Sequence, residues 1–362
     1  MLSAAPQRKT TLRDVAAKAG VSIATASRCL NSPRRGNAAT RARVHAAAAE
    51  LGYSHNPLFA EVMRFVRQRA PDRHLGALAY LVPCRSNEQW EQARRLGRYG
   101  RYGAAVREHA ARYGFDLTEF PIGLPAFSAS RLAQILIARG ISGLFLETFP
   151  NEHFEREFPW QHFSTLLVGH SLHSPGLDCV VSDHVNAVLL AGEQVLSRGY
   201  RRIGLALETS QDRDTSGAWV NGYQLLQARH PQWGAIPPFI RREITAGPLI
   251  AWLKEYGIDC VFTLSALHDG PLRDVVTPME DWLAAAGIEC PGEVGLVTLD
   301  RSYVPELPWA GIDQSTEEQG RAAVDLLLAK LQVGERGLPK ISRTLLVHSH
   351  WCEGRTVRAP KL

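Results

Sequence analysis

The sequence predicts a chain of two structural classes: an all-α helix-turn-helix head, then an α/β body whose parallel, doubly wound sheets form two lobes. Three observations carry that expectation. Residues 11–31, TLRDVAAKAGVSIATASRCLN, hold two short helical patterns hinged at Gly20-Val21. From Leu75 onward, strand-length apolar runs alternate with amphipathic helical stretches. Charge divides near the same place: residues 1–74 carry 13 Lys and Arg against 4 Asp and Glu, and the remainder 28 against 32, although the 362-residue chain nets +5 as a whole.

The head reads as three helices. Thr11 with Asp14 makes a capping box, in which the hydroxyl takes the backbone N–H at Asp14 and the carboxylate reaches back to the N–H of Thr11. Leu12, Val15, Ala16 and Ala19 fall on one face at helical spacing, and Gly20 permits the left-handed geometry that ends the helix. Val21 plugs the turn and Ser22 caps the second helix. Its inward face carries Ala26, Cys29 and Leu30, which leaves Ile23, Ala24, Thr25, Ser27 and Arg28 on or near the outward side. Asn37 caps a third helix, ATRARVHAAAAEL, with Val44, Ala48 and Leu51 as its apolar stripe and Gly52 at its end. A helix-turn-helix lays its second helix in the major groove of DNA, and a basic head on an acidic body is the matching electrostatic footprint. Arg8, Lys9, Arg13, Arg34, Arg35, Arg41 and Arg43 are candidates for phosphate contact, though each also fits a solvated surface charge.

Thr11 to Tyr53 resembles the headpiece of the lactose-repressor (LacI/GalR) family, whose pattern TLxDVAxxAGVSxxTVSRVLN…TRxxVxxAxxELGYxPN is matched nearly position by position. Ala26 and Cys29 stand where that family prefers Val, and Ser54-His55-Asn56 replaces x-Pro-Asn. The resemblance implies that Ile23 and Ala24 touch base edges and that Arg28 adds a further base contact. Arg pairs bidentately with guanine, whereas Ile and Ala offer apolar contact with a thymine methyl, so Arg28 is expected to carry much of the direct readout. Thr11, Ser22, Asn37, Tyr53 and Asn56 complete the expected DNA-binding set, with Thr25 and Ser27 on phosphates or in capping roles.

Residues 57–69, PLFAEVMRFVRQR, are too short for a stable free helix. In the resembling family the equivalent segment is a hinge that becomes helical when two copies meet over DNA and wedges an apolar side chain into the minor groove. Val62 holds the usual Leu position here, with Met63 beside it. A linker helix packed on the body is the other reading.

In the body, residues 75–82, 140–147, 164–169, 178–183, 201–208, 259–264 and 293–300 read as buried strands. Residues 101–114, 128–140, 186–200, 218–230, 278–287 and 317–332 read as the helices between them. Strands buried on both faces with helical crossovers make a parallel sheet, and the length suggests two lobes. This resembles the family's effector domain, which is periplasmic-binding-protein-like, with a ligand cleft between lobes that the chain crosses three times. By position the crossings fall near Val181-Ser182, near Ile312-Asp313, and near Ser342 to Leu346. The expected division is a head at 1–56, a hinge at 57–70 and an effector-binding and dimerisation domain at 71–362. Within it, the N-lobe takes about 75–181 and 313–342, and the C-lobe about 182–312 and 343–362.

Ligands of open α/β lobes bind at the carboxyl ends of strands. Asp300 stands where the family's VxxxD motif places a ligand-binding carboxylate, suited to sugar hydroxyls, though a strand-end carboxylate also caps helices. A second family carboxylate is replaced at Gly169-His170, and the family's effector Arg is replaced by Trp219, with Arg213 slightly upstream. Trp219 suits either stacking on a sugar face or a place in the core. His170 and Ser265, on the loops after Val168 and Leu264, complete the candidates. The altered set implies a sugar, a sugar derivative or an effector outside the sugars.

Other classes find little support. Gly97, Gly100 and Gly103 make no dinucleotide fingerprint, and GHSLH at 169–173 lacks the closing Gly of a nucleophile elbow. His170 with His173, and His348 with His350, have no third ligand in their own segments, so no metal is expected. Six cysteines without a CxxC pair fit free thiols in a reducing cytosol, and neither an export signal nor a membrane span is read. The expected protein is a cytoplasmic homodimeric regulator, a repressor, of operator DNA, controlled by a small-molecule effector and needing no cofactor. The rival is a solute-binding protein of a transport system, which has no use for a basic head.

Overall fold

The computed structural model describes residues 12–22, 25–26, 29, 37–51, 75–82, 84, 86, 88–89, 91, 97–123, 128–147, 156–169, 176–264, 279–301 and 308–360. The chain divides into two compact units, one of residues 1–69 with 332–334 and one of 70–331 with 335–362.

In the first unit, α1 (Leu12–Ala19) and α2 (Ala38–Glu50) pack through Val15, Ala16, Ala19, Val44, Ala47 and Ala48, with Ala26 and Cys29 buried in the same cluster. The residues are small, so the helices approach closely around a modest core. Val21 and Leu51 close its margin.

The second unit holds two six-stranded sheets. The first contains β1 (Gly76–Val82), β2 (Phe115–Pro121), β3 (Gly143–Leu146), β4 (Ser164–Val168), β5 (Cys179–Ser182) and β11 (Thr344–Val347), in the order β11-β5-β4-β3-β1-β2, all parallel. The second contains β6 (Ile203–Glu208), β7 (Phe239–Arg241), β8 (Cys260–Thr263), β9 (Gly295–Thr298), β10 (Ala310–Asp313) and β12 (His350–Cys352), in the order β12-β10-β9-β8-β6-β7, with β12 alone antiparallel. Among the inner strands, β3, β4, β6, β8 and β9 are buried along their whole length, as apolar runs covered on both faces should be.

Helices α3 (Gly97–Arg112), α4 (Ala129–Ala138), α5 (His184–Ser197), α6 (Thr209–Arg213), α7 (Ala218–Arg229), α8 (Ala246–Tyr256), α9 (Met279–Ala285) and α10 (Thr316–Val333) connect the strands. The first lobe is cored by Leu81, Leu132, Leu136, Leu144, Leu146 and Phe163, the second by Val188, Leu205, Tyr223, Phe262, Leu296 and Trp309. Gly311 is required where β10 passes β9, because a methyl group there would collide with the Thr298 carbonyl.

The chain leaves the first sheet at Ser182 and enters α5, whose Ala187, Val188, Ala191 and Val195 belong to the second core. It leaves the second sheet at Asp313 and enters α10, whose Gly320 abuts Tyr102 and Ala105 of α3. The third crossing, placed by sequence near Ser342 to Leu346, lies later. Thr344 to Val347 pair in parallel with Cys179 to Ser182, so the chain changes sheet at His348-Ser349.

Candidate nucleic-acid interface and ligand rim

In the head, α1 ends in a Schellman turn. Gly20 sits at φ +64, its N–H donates to the Ala17 carbonyl at 3.2 Å, and that of Val21 donates to the Ala16 carbonyl at 3.0 Å. The turn delivers Ser22 as a cap: its hydroxyl oxygen accepts from the Thr25 N–H at 3.1 Å and lies 2.9 Å from the Thr25 hydroxyl. The Ala26 N–H then donates to the Ser22 carbonyl at 2.9 Å, a helical bond. Asn37 accepts from the Ala39 N–H at 2.9 Å and caps α2. Lys18 and Glu50 pair at 2.5 Å across α1 and α2, both well exposed, and so contribute little. Of the expected DNA-binding residues, Thr11, Ile23, Ala24, Ser27, Arg28, Tyr53, Asn56, Val62 and Met63 lie outside the described residues, whereas Ser22, Thr25 and Asn37 are seen in capping roles.

At the strand ends of the body, Tyr80 of β1 donates its hydroxyl to Glu147 just past β3. Burial, and then the Glu147 charge, push the nearby Cys84 thiol up to about 11, so it stays protonated and unreactive at neutral pH. In the second lobe Glu208 and Gln211 form a reciprocal cap at the start of α6. Asp300 is buried beyond β9, where its N–H donates to the Thr298 hydroxyl at 3.3 Å and its carbonyl accepts from that hydroxyl at 3.0 Å. The Leu299 carbonyl accepts from Gln314 at 3.2 Å, tying this strand end to the second crossing.

Trp219 is 1 % exposed and belongs to the second core, with its ring edge-on to His184 at 4.3 Å. Among the described residues its indole N–H meets no acceptor. Arg213 is exposed at the end of α6 and pairs with Asp214 at 3.3 Å. Asp300 and Trp219 are therefore both buried in the second lobe, Arg213 stands in solvent, and His170 and Ser265 lie outside the described residues.

The three crossings form a joint that sequence reasoning missed. Ser182 and Ser349 hydroxyls lie 3.0 Å apart, joining the first crossing to the third, and the Asp183 N–H donates to the Val347 carbonyl at 3.0 Å. Ser315, held in the left-handed region at φ +53, donates its hydroxyl to the His348 carbonyl at 2.9 Å and its N–H to Asp313 at 2.8 Å. Arg101 of α3 spans the second crossing, donating to Asp313 at 3.0 Å and to Glu317 at 2.6 and 2.8 Å. Burial pushes the Glu317 carboxyl up, and its bonds from Arg101 pull it back below the usual range. Apart from the local bond of Ser315 to Asp313, these contacts join residues far apart in sequence, so no local pattern announces them.

Among the described residues, no helix is long and apolar enough to cross a membrane, and all six cysteines are free thiols. Residues 11–56 match the family described as bacterial regulatory proteins, lacI family, and residues 193–357 match the periplasmic binding protein-like domain. The HTH-type transcriptional regulator CelR of Thermobifida fusca is 25 % identical over 341 residues, 90 % of this chain and 93 % of that protein. The solved transcriptional regulator CelR-cellobiose complex covers 96 % of this chain and 99 % of its own, at 22 % identity and a TM-score of 0.53. The head is 50 % identical over 54 residues to the HTH-type transcriptional repressor CytR of Escherichia coli (strain K12), a match spanning 15 % of this chain and 16 % of that one. The Lac repressor dimer bound to operator and the anti-inducer ONPF shares the fold at a TM-score of 0.52 and 20 % identity, over 97 % of this chain and all of its own. With a Ser22-capped head that matches the lacI family of bacterial regulatory proteins, set before a periplasmic-binding-protein-like body of parallel sheets, the chain has the plan of the LacI-type transcriptional regulators it resembles along most of its length.

Proposed function

We propose that this regulator is a repressor that binds operator DNA as a homodimer in the cytoplasm and is released or recruited by a small sugar or sugar derivative held between its lobes. The observation that carries the reading is the head's second turn. Ser22 caps a helix start at the Thr25 amide while Ala26 and Cys29 are buried in the core of the head, which supports the reading that the opposite face of this helix meets DNA. On this reading Ile23 and Ala24 make apolar base contacts, Arg28 reads guanine, and Thr11, Tyr53 and Asn56 hold the phosphate backbone. Val62 and Met63 supply the minor-groove wedge of each copy.

For the effector, the cellobiose of the CelR complex and the anti-inducer of the Lac repressor dimer support a small-molecule ligand. Asp300 is the proposed sugar-hydroxyl acceptor. Trp219, Arg213, His170 and Ser265 are the proposed companions, Trp219 acting from the core as a wall. Such a ligand would act by changing how the lobes meet at the joint of Ser182, Ser315 and Ser349.

Purified protein should shift DNA from its own upstream region in a salt-sensitive, sequence-selective manner, and one member of a sugar panel should change that affinity. Arg28→Ala should weaken specific binding by about 1–3 kcal/mol and relax selectivity at one position of each half-site. The absence of any selective complex under all conditions would overturn the proposal.

A further inference from the structure

At the edge of the second sheet, β10 and β12 run antiparallel with Asp313 opposite His350 and Gly311 opposite Cys352. Residues two apart on a strand project to the same face, so His350 and Cys352 share a face with Asp313 across from them. A carboxylate oxygen, an imidazole nitrogen and the thiol sulfur of these three residues lie within 4.8 Å of one another. Around a tetrahedral Zn²⁺ with bonds of about 2.0–2.3 Å, ligand atoms stand roughly 3.3–3.8 Å apart. Closure therefore asks for about 1 Å of side-chain movement, at an exposed histidine and two partly exposed neighbours on the sheet edge.

We infer that Asp313, His350 and Cys352 form a binding site for a thiophilic divalent cation of the zinc type. Thiolate, imidazole and carboxylate together suit Zn²⁺ and disfavour Mg²⁺ or Ca²⁺, which take oxygen donors. Three protein ligands leave one position for water or an incoming group, the arrangement of an exchangeable site rather than a closed structural one.

The surroundings are arranged to orient these ligands. Asp313 is steadied by the Ser315 N–H at 2.8 Å. The Ser315 hydroxyl, which donates to the His348 carbonyl, lies 3.3 Å from His350 Nδ1. It can accept from Nδ1–H, and that tautomer leaves the Nε2 lone pair for the metal. The competing cation is Arg101, 3.0 Å from Asp313. Arg101 also holds Glu317 through two bonds, so it stays paired when a metal claims Asp313. Metal binding thus exchanges one cation for another on Asp313, and it removes the bond by which a first-lobe helix holds a second-lobe strand. Along the chain, His350 and Cys352 stand two apart on one strand; the sheet supplies the third ligand, Asp313, from a different strand.

The test uses the full-length chain stripped with a chelator and titrated with Co²⁺ as a spectroscopic probe. One equivalent should produce a thiolate-to-cobalt charge-transfer band. Cys352→Ser should abolish that band, and His350→Ala should weaken binding at least about tenfold, losing a direct ligand being no milder than losing an outer partner. Cys290→Ser should leave the band intact. A band that survives Cys352→Ser, or no band at all, overturns the site. Should either variant misfold, the unaltered chain decides: stoichiometric Zn²⁺ should slow alkylation of Cys352 at least tenfold without protecting Cys179. Equal rates at Cys352 with and without Zn²⁺ would equally overturn it.

Discussion

Lys330 donates its ammonium to Asp178 at 2.6 Å with both side chains buried, at 2 % and 0 % exposure. Arg343 closes on the same carboxylate at 2.6 Å, and Glu335 pairs with both cations. The group binds α10 to the segments that lead into β5 and β11, and so fixes the outer edge of the first sheet. Removing one partner of a buried pair strands the other charge. Lys330→Ala should therefore cost about 3 kcal/mol, at the low end of the usual range because Arg343 remains, as read from a lowered urea midpoint at an unchanged slope.

The same carboxylate makes stability depend on pH. Burial pushes the Asp178 carboxyl up, but the Arg343 and Lys330 hydrogen bonds outweigh it and hold the group at about 2. In the unfolded chain an aspartate titrates near 3.9, so the folded state favours the ionised form. The contribution, about 2–3 kcal/mol, is fully present above roughly pH 5 and is lost as pH falls through about 2. Asp178→Asn should flatten that part of the acid-unfolding curve, while leaving a lower plateau at neutral pH.

In the head, Asn37 satisfies an amide that α2 cannot bond internally. Asn37→Ala should raise the hydrogen-exchange rate at Ala39 about fivefold, equivalent to ~1 kcal/mol, and Asn37→Asp should restore protection.

Trp219 separates packing from hydrogen bonding, because its indole N–H meets no acceptor among the described residues. Trp219→Phe should stay within about 1 kcal/mol of the parent, whereas Trp219→Ala should cost roughly 3–5 kcal/mol through the cavity it leaves. Chemical denaturation of both variants checks this. If Trp219 also forms a wall of the effector site, Trp219→Phe will shift effector affinity while sparing stability.

What could be read from sequence followed burial. The inner strands β1, β3, β4, β5, β6, β8 and β9 were legible as apolar runs because helices cover both their faces. The strands without such runs include all four sheet edges: β2, β7, β11 and β12. An edge strand is half solvated, so Asp116, Thr118 and Glu119 interrupt β2, and β11 keeps three of its four residues exposed. β10, Ala-Gly-Ile-Asp, was hidden because Ile312 is its one large apolar residue, too little for an apolar run. Helix α8 was obscured by Gly247 and Pro248, which the first helical turn tolerates. In the head, Gly20, Ser22 and Asn37 were legible because caps and turns are local chemistry. The joint and the Asp313-His350-Cys352 cluster were not, since cross-strand register determines which residues meet.

The serine-stitched joint has a mechanical consequence. With Ser182 bonded to Ser349, Ser315 to the His348 carbonyl, and Asp183 to the Val347 carbonyl, the three connecting strands cannot pivot independently. Bonded to one another in this way, the crossings pass strain from any one strand to the other two. Substitutions at Ser182 and Ser315 should accordingly combine non-additively, as parts of a single moving piece.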